Sequence, residues 1–452
     1  MVRQIAAVQQ LPGGPFATLQ QLAEDVLKHA RDKGATACEV DVSEGFGQSV
    51  GVRCNEVETI EFNRDKGIGI TVYAGQRKGY ASTSDFSPQA LRETVEAALD
   101  IARFTAADDC AGLADAALMA KDYPDLDLYH PWALTVEDAI ATALRCEQAA
   151  FAASPLVSNS EGASVSTQQA HFVSANSLGF RGGYPTSRHY ISCSVIAGEH
   201  DAMQRDDWYT TRRSADELDA PENVGRIAAE RAVARLGGRK ARTGEFPVLF
   251  EAPLAAGLLG SLVHAASGGA LYRKSSFLVD QLGKRVMPEF VNISERPHIR
   301  RGLGSSAFDS DGVATSDREI VTGGILQGYF LSAYTARKLG MQTTGNAGGS
   351  HNLIIEPGQQ DLVGLLKLMG RGLLVTELLG HGINYVTGDY SRGAAGYWVE
   401  NGVIAYPVEE ITIAGNLKAM LAGIVAVGND VQVRGSKQTG SILVDRMTVA
   451  GD

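Results

Sequence analysis

Leu19, Leu22, Ala23, Val26, Leu27 and Ala30 recur at helical spacing and stop before Gly34, which predicts an amphipathic helix near the start of the chain. The period then falls to two. Val50, Val52 and Cys54 alternate with polar neighbours, and residues 67–83 predict two short strands turning at Ala74-Gly75. Ser87 and Pro88 form an N-cap and first-turn pair for a helix carrying Leu91, Val95, Ala98 and Leu99. A polar, Asp-rich stretch follows over residues 108–127, after which Thr135 with Asp138 has the form of a capping box for a helix through Ala153. Strands are predicted at 163–168, 170–175, 190–197 and 208–212, before a helix over 221–236 that stops at Gly237-Gly238. The order helix, sheet, helix thus occurs twice, a divergent repeat of pattern and not of residues.

From Arg239 glycine becomes dense and strand-like runs dominate, at 246–251, 353–356, 398–405 and 442–449. Asn401-Gly402, set between Tyr397-Trp398-Val399 and Val403-Ile404, is a two-residue hairpin turn of the kind that needs positive φ at both central residues. Inserted helices are predicted over 253–266, 360–369 and 416–427. The expected fold is α+β, with N-terminal helix and antiparallel-sheet regions at 1–128 and 129–238 and a β-rich C-terminal domain at 239–452.

Composition narrows the function classes. The chain has 452 residues, more than one core usually serves, and a formal charge of −11 that repels a phosphate backbone; no Lys/Arg run with interleaved aromatics offsets it. Nucleic acid is therefore not an expected partner. Five scattered cysteines without a Cys-x-x-Cys pair fit reduced thiols. Residues 1–16 lack an apolar stretch with a small-residue cleavage site, and the most apolar run, 252–263, is too short to span a bilayer. The expectation is a cytoplasmic protein with no membrane contact.

Motifs for common chemistries are missing. No His-Glu-x-x-His, Gly-x-x-x-x-Gly-Lys or Gly-x-Gly-x-x-Gly occurs. Asp309-Ser-Asp311-Gly312 imitates the start of a calcium loop, but Ile320 stands where a bidentate Glu is required, and an Asp-Gly turn is the simpler reading. Glu377 and His381 stand four apart and on a helix would share a face, with His351 as a third metal ligand; their flanks read instead as a strand meeting a turn. Residues 267–276 follow a helix and could offer backbone amides with Arg273 and Lys274 to an anionic group such as a peptide C-terminus, or could simply stop the helix. The glycine clusters at 344–349 and 388–396 are long for turns. Glycine there would admit a second backbone, as when an extended peptide joins a sheet edge.

Five segments, SGGALYRKSSFL (267–278), GNAGGSHN (345–352), TGDYSRGAAGYWVENG (387–402), EITIAGNL (410–417) and VGND (427–430), closely resemble the PmbA, or TldE, branch of the TldD/PmbA family. The resemblance extends over nearly the whole chain. It implies an N-terminal α/β region, a central region and a β-rich C-terminal domain. It also implies a heterodimer in which the TldD branch binds zinc through a His-Glu-x-x-x-His helix and a distant Cys, while the TldE branch lacks that set. Aligned on Leu258-Leu259, this chain has Gly260 at the first His, Ser261 at the Glu and Ala265 at the second His; His264 falls one helical step away. No cysteine follows Cys193, and in the corresponding tail at 435–440 the family position is held by Thr439, which offers only a hydroxyl.

The resemblance therefore implies that this chain has no cofactor of its own and that zinc sits in a TldD-type partner. The expected role is a non-catalytic subunit that positions unfolded peptides, such as microcin precursors and antitoxin-like proteins, for hydrolysis; a homodimer is the expected alternative when the chain is alone. Arg273, Lys274, Gly348, His351, Asn352, Asp389, Arg392 and Gly393 are the candidate peptide or partner contacts. Two alternatives differ in class: a regulatory binding module of the gyrase-modulator kind, and a self-sufficient hydrolase using Glu377, His381 and His351.

Overall fold

The computed structural model describes residues 14–451, so the leader-free reading of residues 1–16 lies almost wholly outside them. The first half runs α1 (Gly14–Asp32), β1 (Ala37–Arg53), β2 (Glu56–Ala74), β3 (Arg77–Thr83), α2 (Pro88–Phe104), α3 (Val136–Ala153), β4 (Val157–Asn176), β5 (Arg181–Gly182), β6 (Pro185–Ala197), β7 (Gln204–Arg212) and α4 (Pro221–Ala234). The strands form one antiparallel sheet in the order β3-β2-β1-β4-β6-β7, with β5 on β4. The repeated helix, sheet, helix order thus appears as two halves joined edge to edge through β1 and β4, and pairing crosses the 128/129 division from Glu39↔Asn176 to Val52↔Ala163.

Local chemistry sets these elements. Ser87 accepts from Ala90 N and Pro88 occupies the first turn of α2, while Thr135 accepts from Asp138 N at 3.0 Å to cap α3. All four helices lie on one face. Val40, Val42, Ile68, Ile70 and Val173 pack under α1 and α2, and Val52, Val165, Ile191 and Val195 under α3 and α4; Val165 and Val173 point to the same side of β4. The strands are longer than the sequence pattern predicts. β1 and β2 have 17 and 19 residues and extend as a ribbon in which β2 is exposed from Glu56 to Lys66.

The C-terminal part contains β8 (Gly244–Phe250), α5 (Ala252–Ala265), α6 (Gly268–Tyr272), β9 (Ile293–Glu295), β10 (Arg318–Thr322), β11 (Ile325–Leu326), α7 (Ala333–Leu339), β12 (Leu353–Ile355), α8 (Leu362–Met369), β13 (Gly372–Leu379), β14 (Asp389–Glu400), β15 (Val403–Asn416), α9 (Leu417–Ala422), β16 (Ile424–Val427), β17 (Lys437–Gln438) and β18 (Ile442–Ala450). Its larger sheet has the order β15-β14-β13-β8-β18-β16, and further pairing of β15 with β18 closes five strands on themselves. Asn401 and Gly402 have φ of 52° and 75°, as their hairpin requires. The predicted helix over 416–427 is shorter: Asn416 caps α9, and Gly423 ends it before β16. A second sheet, β11-β10-β9-β12-β17, packs with α5 into the same core.

The Asp-rich stretch binds the two parts together. Asp108 accepts from Tyr334 Oη and Lys338 Nζ, each at 2.8 Å, and Asp127 accepts from Arg301 at 2.7 Å. From α4, Arg231 reaches Glu251 at 2.8 Å and Arg235 reaches Glu377. No helix among the described residues is long and apolar enough to cross a membrane.

Candidate functional site

α5 starts with Pro253 in its first turn and with Ala252 N donating to Ser441 Oγ at 3.0 Å. Leu258, Leu259 and Leu262 bury it in the C-terminal core, so its orientation is fixed by packing. The side carrying Gly260 meets β17. A Cβ at residue 260 would stand 3.7 Å from Lys437 Cε, so the lysine stem covers the glycine. Ser261 Oγ donates to Gly257 O at 3.1 Å, Ala265 is fully buried, and Thr439 Oγ1 donates to Gly440 O at 2.8 Å. Both hydroxyls are thus spent on backbone. His264 is exposed and stacks on Tyr385 with ring centroids 3.9 Å apart, a step round the helix.

Lys437 is the one charged side chain against this helix position, and it has no ion pair or hydrogen bond among the described residues. Burial lowers its pKa below the ordinary lysine value. A divalent metal needs carboxylate, imidazole or thiolate donors, and Gly260, Ser261, Ala265 and Thr439 provide none while an ammonium lies across the first position. These residues do not fit a zinc ion. Lys437 was not legible in the sequence: only β17, parallel to β12 through Leu353↔Lys437, brings it to α5.

The other candidate contacts fall into three neighbourhoods. His351 is buried: its backbone N and Nδ1 lie 2.7 and 3.1 Å from Glu295 Oε1, and Asn346 Nδ2 and Arg318 Nη1 complete the Glu295 shell at 2.8 and 3.2 Å. Burial alone would raise the Glu295 carboxyl, but the His351 hydrogen bonds and the Arg318 charge hold it below its ordinary value. Asn352, wholly buried, donates to Arg296 O and Ser305 Oγ and accepts from Gly304 N at 2.8, 2.7 and 2.9 Å. Gly348 has φ +97°, and a Cβ there would come within 2.7 Å of Ser310 Oγ. Its neighbour Ala347 N donates to Asp309 Oδ2, whose Oδ1 takes Asp311 N and Val313 N, all at 2.9 Å; this is an Asx turn.

On β14, Gly393 faces Leu379 with its would-be Cβ 3.1 Å from Leu379 Cβ, so glycine here brings β13 and β14 close. Arg392 donates to Leu378 O at 3.4 Å and its Nε is buried without a partner, while Asp389 accepts from Thr387 Oγ1 at 2.6 Å and Asn416 Nδ2 at 3.2 Å. Arg273 and Lys274 follow α6, exposed and without an acidic partner among the described residues; Arg273 lies over the Tyr272 ring at 5.2 Å. The trio Glu377, His381 and His351 is not assembled. Glu377 is on β13 and paired to Arg235, His381 is in the exposed loop beyond it, and His351 is held by Glu295. Among the described residues no three His, Cys, Asp or Glu side chains are grouped as a metal would need.

The chain matches three descriptions of one family in chain order: PmbA/TldA metallopeptidase domain 1 over residues 38–102, the central domain over 129–236 and the C-terminal domain over 243–451. It is 50% identical over 435 residues to a metalloprotease PmbA homolog of Haemophilus influenzae, and 50% identical over 433 residues to metalloprotease PmbA of Escherichia coli O157:H7. Each alignment covers 96% of both chains. A crystal structure from Bacteroides thetaiotaomicron, provisionally described as a modulator of DNA gyrase, superposes with a TM-score of 0.91 at 27% identity, covering 96% of this chain and 99% of that one.

Proposed function

The chain belongs to the PmbA/TldD family, on its PmbA branch, and from that premise we propose that it is the non-metal-binding subunit of a two-chain zinc peptidase. In this reading a TldD-type partner holds the zinc and cleaves the peptide bond. This chain completes the channel that presents an unfolded substrate, such as a microcin precursor or an antitoxin-like protein, in the cytoplasm. The observation that carries the proposal is the α5 face: a glycine, a backbone-bonded serine and an alanine stand where ligands and a general base would be required, and Lys437 lies across the glycine. An ammonium there opposes a metal cation and can favour a substrate carbonyl or carboxylate.

The test is cleavage of an unstructured peptide by the purified chain, by a TldD-type partner, and by the two mixed. The expected result is turnover by the mixture that a chelator removes and none by this chain alone. Chelator-sensitive turnover by this chain alone, after removal of contaminating proteases, would overturn the proposal. The crystal structure described as a gyrase modulator favours a second reading, a regulatory protein-binding module. The charge of −11 restricts that reading to protein partners rather than DNA.

A further inference from the structure

The face of the seven-stranded sheet opposite the helices carries a cavity of about 320 Å³ that no step of the proposed peptidase uses. Its floor is Gly45 and Gly47, odd-numbered positions of β1, whereas Val42 and Val52 on even positions pack under the helices. Register extends the floor sideways: Gly47 pairs with Gln168, and Gln168 with Arg188, while Gly45 pairs with Asp65 on the other side. His189↔Arg212 is the last pair between β6 and β7, so Arg213 comes opposite Arg188 on the same face.

Neither arginine has a carboxylate partner among the described residues. Arg188 donates Nε to Thr211 Oγ1 at 3.0 Å and makes no ion pair among the described residues. Arg213 gives one hydrogen bond each to Ser187 O and Leu303 O, at 3.1 and 3.0 Å, and its Nε is buried with no acceptor. Burial and then the charge of Arg188 both lower the Arg213 pKa, so the pair is held together against its own repulsion. A planar anion placed between them would take up the open donors.

We propose that this cavity is a binding site for the C-terminal carboxylate of a peptide, held by Arg188 and Arg213, with the amino end of the peptide directed toward Asp65. Asp65 and Arg188 are separated by three strand spacings and two residues along the strand, about 16 Å between their backbones, a gap that an extended tetrapeptide of about 13 Å fills once the two side chains reach inward. The glycine floor lets a main chain lie against the sheet, and Gln168 stands between the two ends to bond its amides.

Calorimetric titration of the purified chain with tetra-alanine bearing both free termini tests this, without any partner or cleavage, so its outcome is independent of the peptidase proposal. The free acid is expected to bind, and its C-terminal amide to bind about tenfold more weakly or worse. Arg188→Gln, at an exposed position, should reproduce that loss. Gly47→Val should do so through the floor, since a Cβ at 47 meets only ordinary contacts of 3.6 to 3.7 Å and the variant is expected to fold. Equal affinity for acid and amide, no binding of the acid, or unchanged binding by both variants would overturn the site. Inorganic phosphate binding more tightly than the peptide acid would overturn it too, showing a general anion pocket.

Discussion

Single buried charges decide much of this chain's local stability. Glu147 on α3 is fully buried, and its two oxygens accept from Cys54 N at 2.9 Å and Asn55 N at 2.7 Å, clamping the β1–β2 turn, where both residues have positive φ. Glu147→Ala leaves those two amides without acceptors and should cost about 3 kcal/mol in urea unfolding, whereas an exposed control such as Glu137→Ala should be near neutral. Burial raises the Glu39 carboxyl to about 7, against a lowering by Lys78. A carboxyl whose folded pKa is raised contributes stability that is complete below its unfolded value near 4.5 and is lost as pH rises through about 7. Glu39→Gln should therefore gain thermal stability relative to the parent at pH 8 and show little difference at pH 4. A melting-temperature difference that does not change with pH would refute that account.

Among the elements, those with local chemistry at their ends were legible: Ser87-Pro88 starts α2, Thr135 caps α3 and Asn401-Gly402 turns β14 into β15. Close helix contact is a property of the same scale. A Cβ at Gly225 on α4 would fall 1.8 Å from Cys146 O on α3, so Gly225→Ala should force α3 and α4 apart, cost several kcal/mol and lower the melting midpoint. Other elements were hidden for physical reasons. β2 is exposed over its first half, so no inside-outside alternation marks it, and its turn is a Cys-Asn pair held by Glu147 instead of an Asn-Gly. β9 and β17, of three and two residues, are too short to show a period, yet they pair with β12, the predicted run at 353–356, and so place His351 on Glu295 and Lys437 on Gly260. The glycines at 393 and 348 were legible as close-approach positions, but the approaching groups, Leu379 and Ser310, lie within the chain itself.

At the scale of the whole molecule, the sheet half and the closed-sheet half are held by ion pairs as well as by packing. Arg231 bridges Asp206 and Glu251, and Arg235 adds Glu377, all at mostly buried positions. Arg231→Ala strands Glu251 and leaves Asp206 with Arg235 alone, and should destabilise the chain by about 3 kcal/mol, read as a lower urea midpoint. That rigid frame fixes α5 and β17, and with them the central claim that this chain contributes structure and substrate handling while its partner contributes the metal. Zinc content measures it most directly. Tag-free protein, purified without chelators and analysed by mass spectrometry, is expected to contain well under one equivalent, and the complex with a TldD-type chain about one per pair. Stoichiometric zinc in this chain alone, lost on substitution of His351 or His381, would contradict the account.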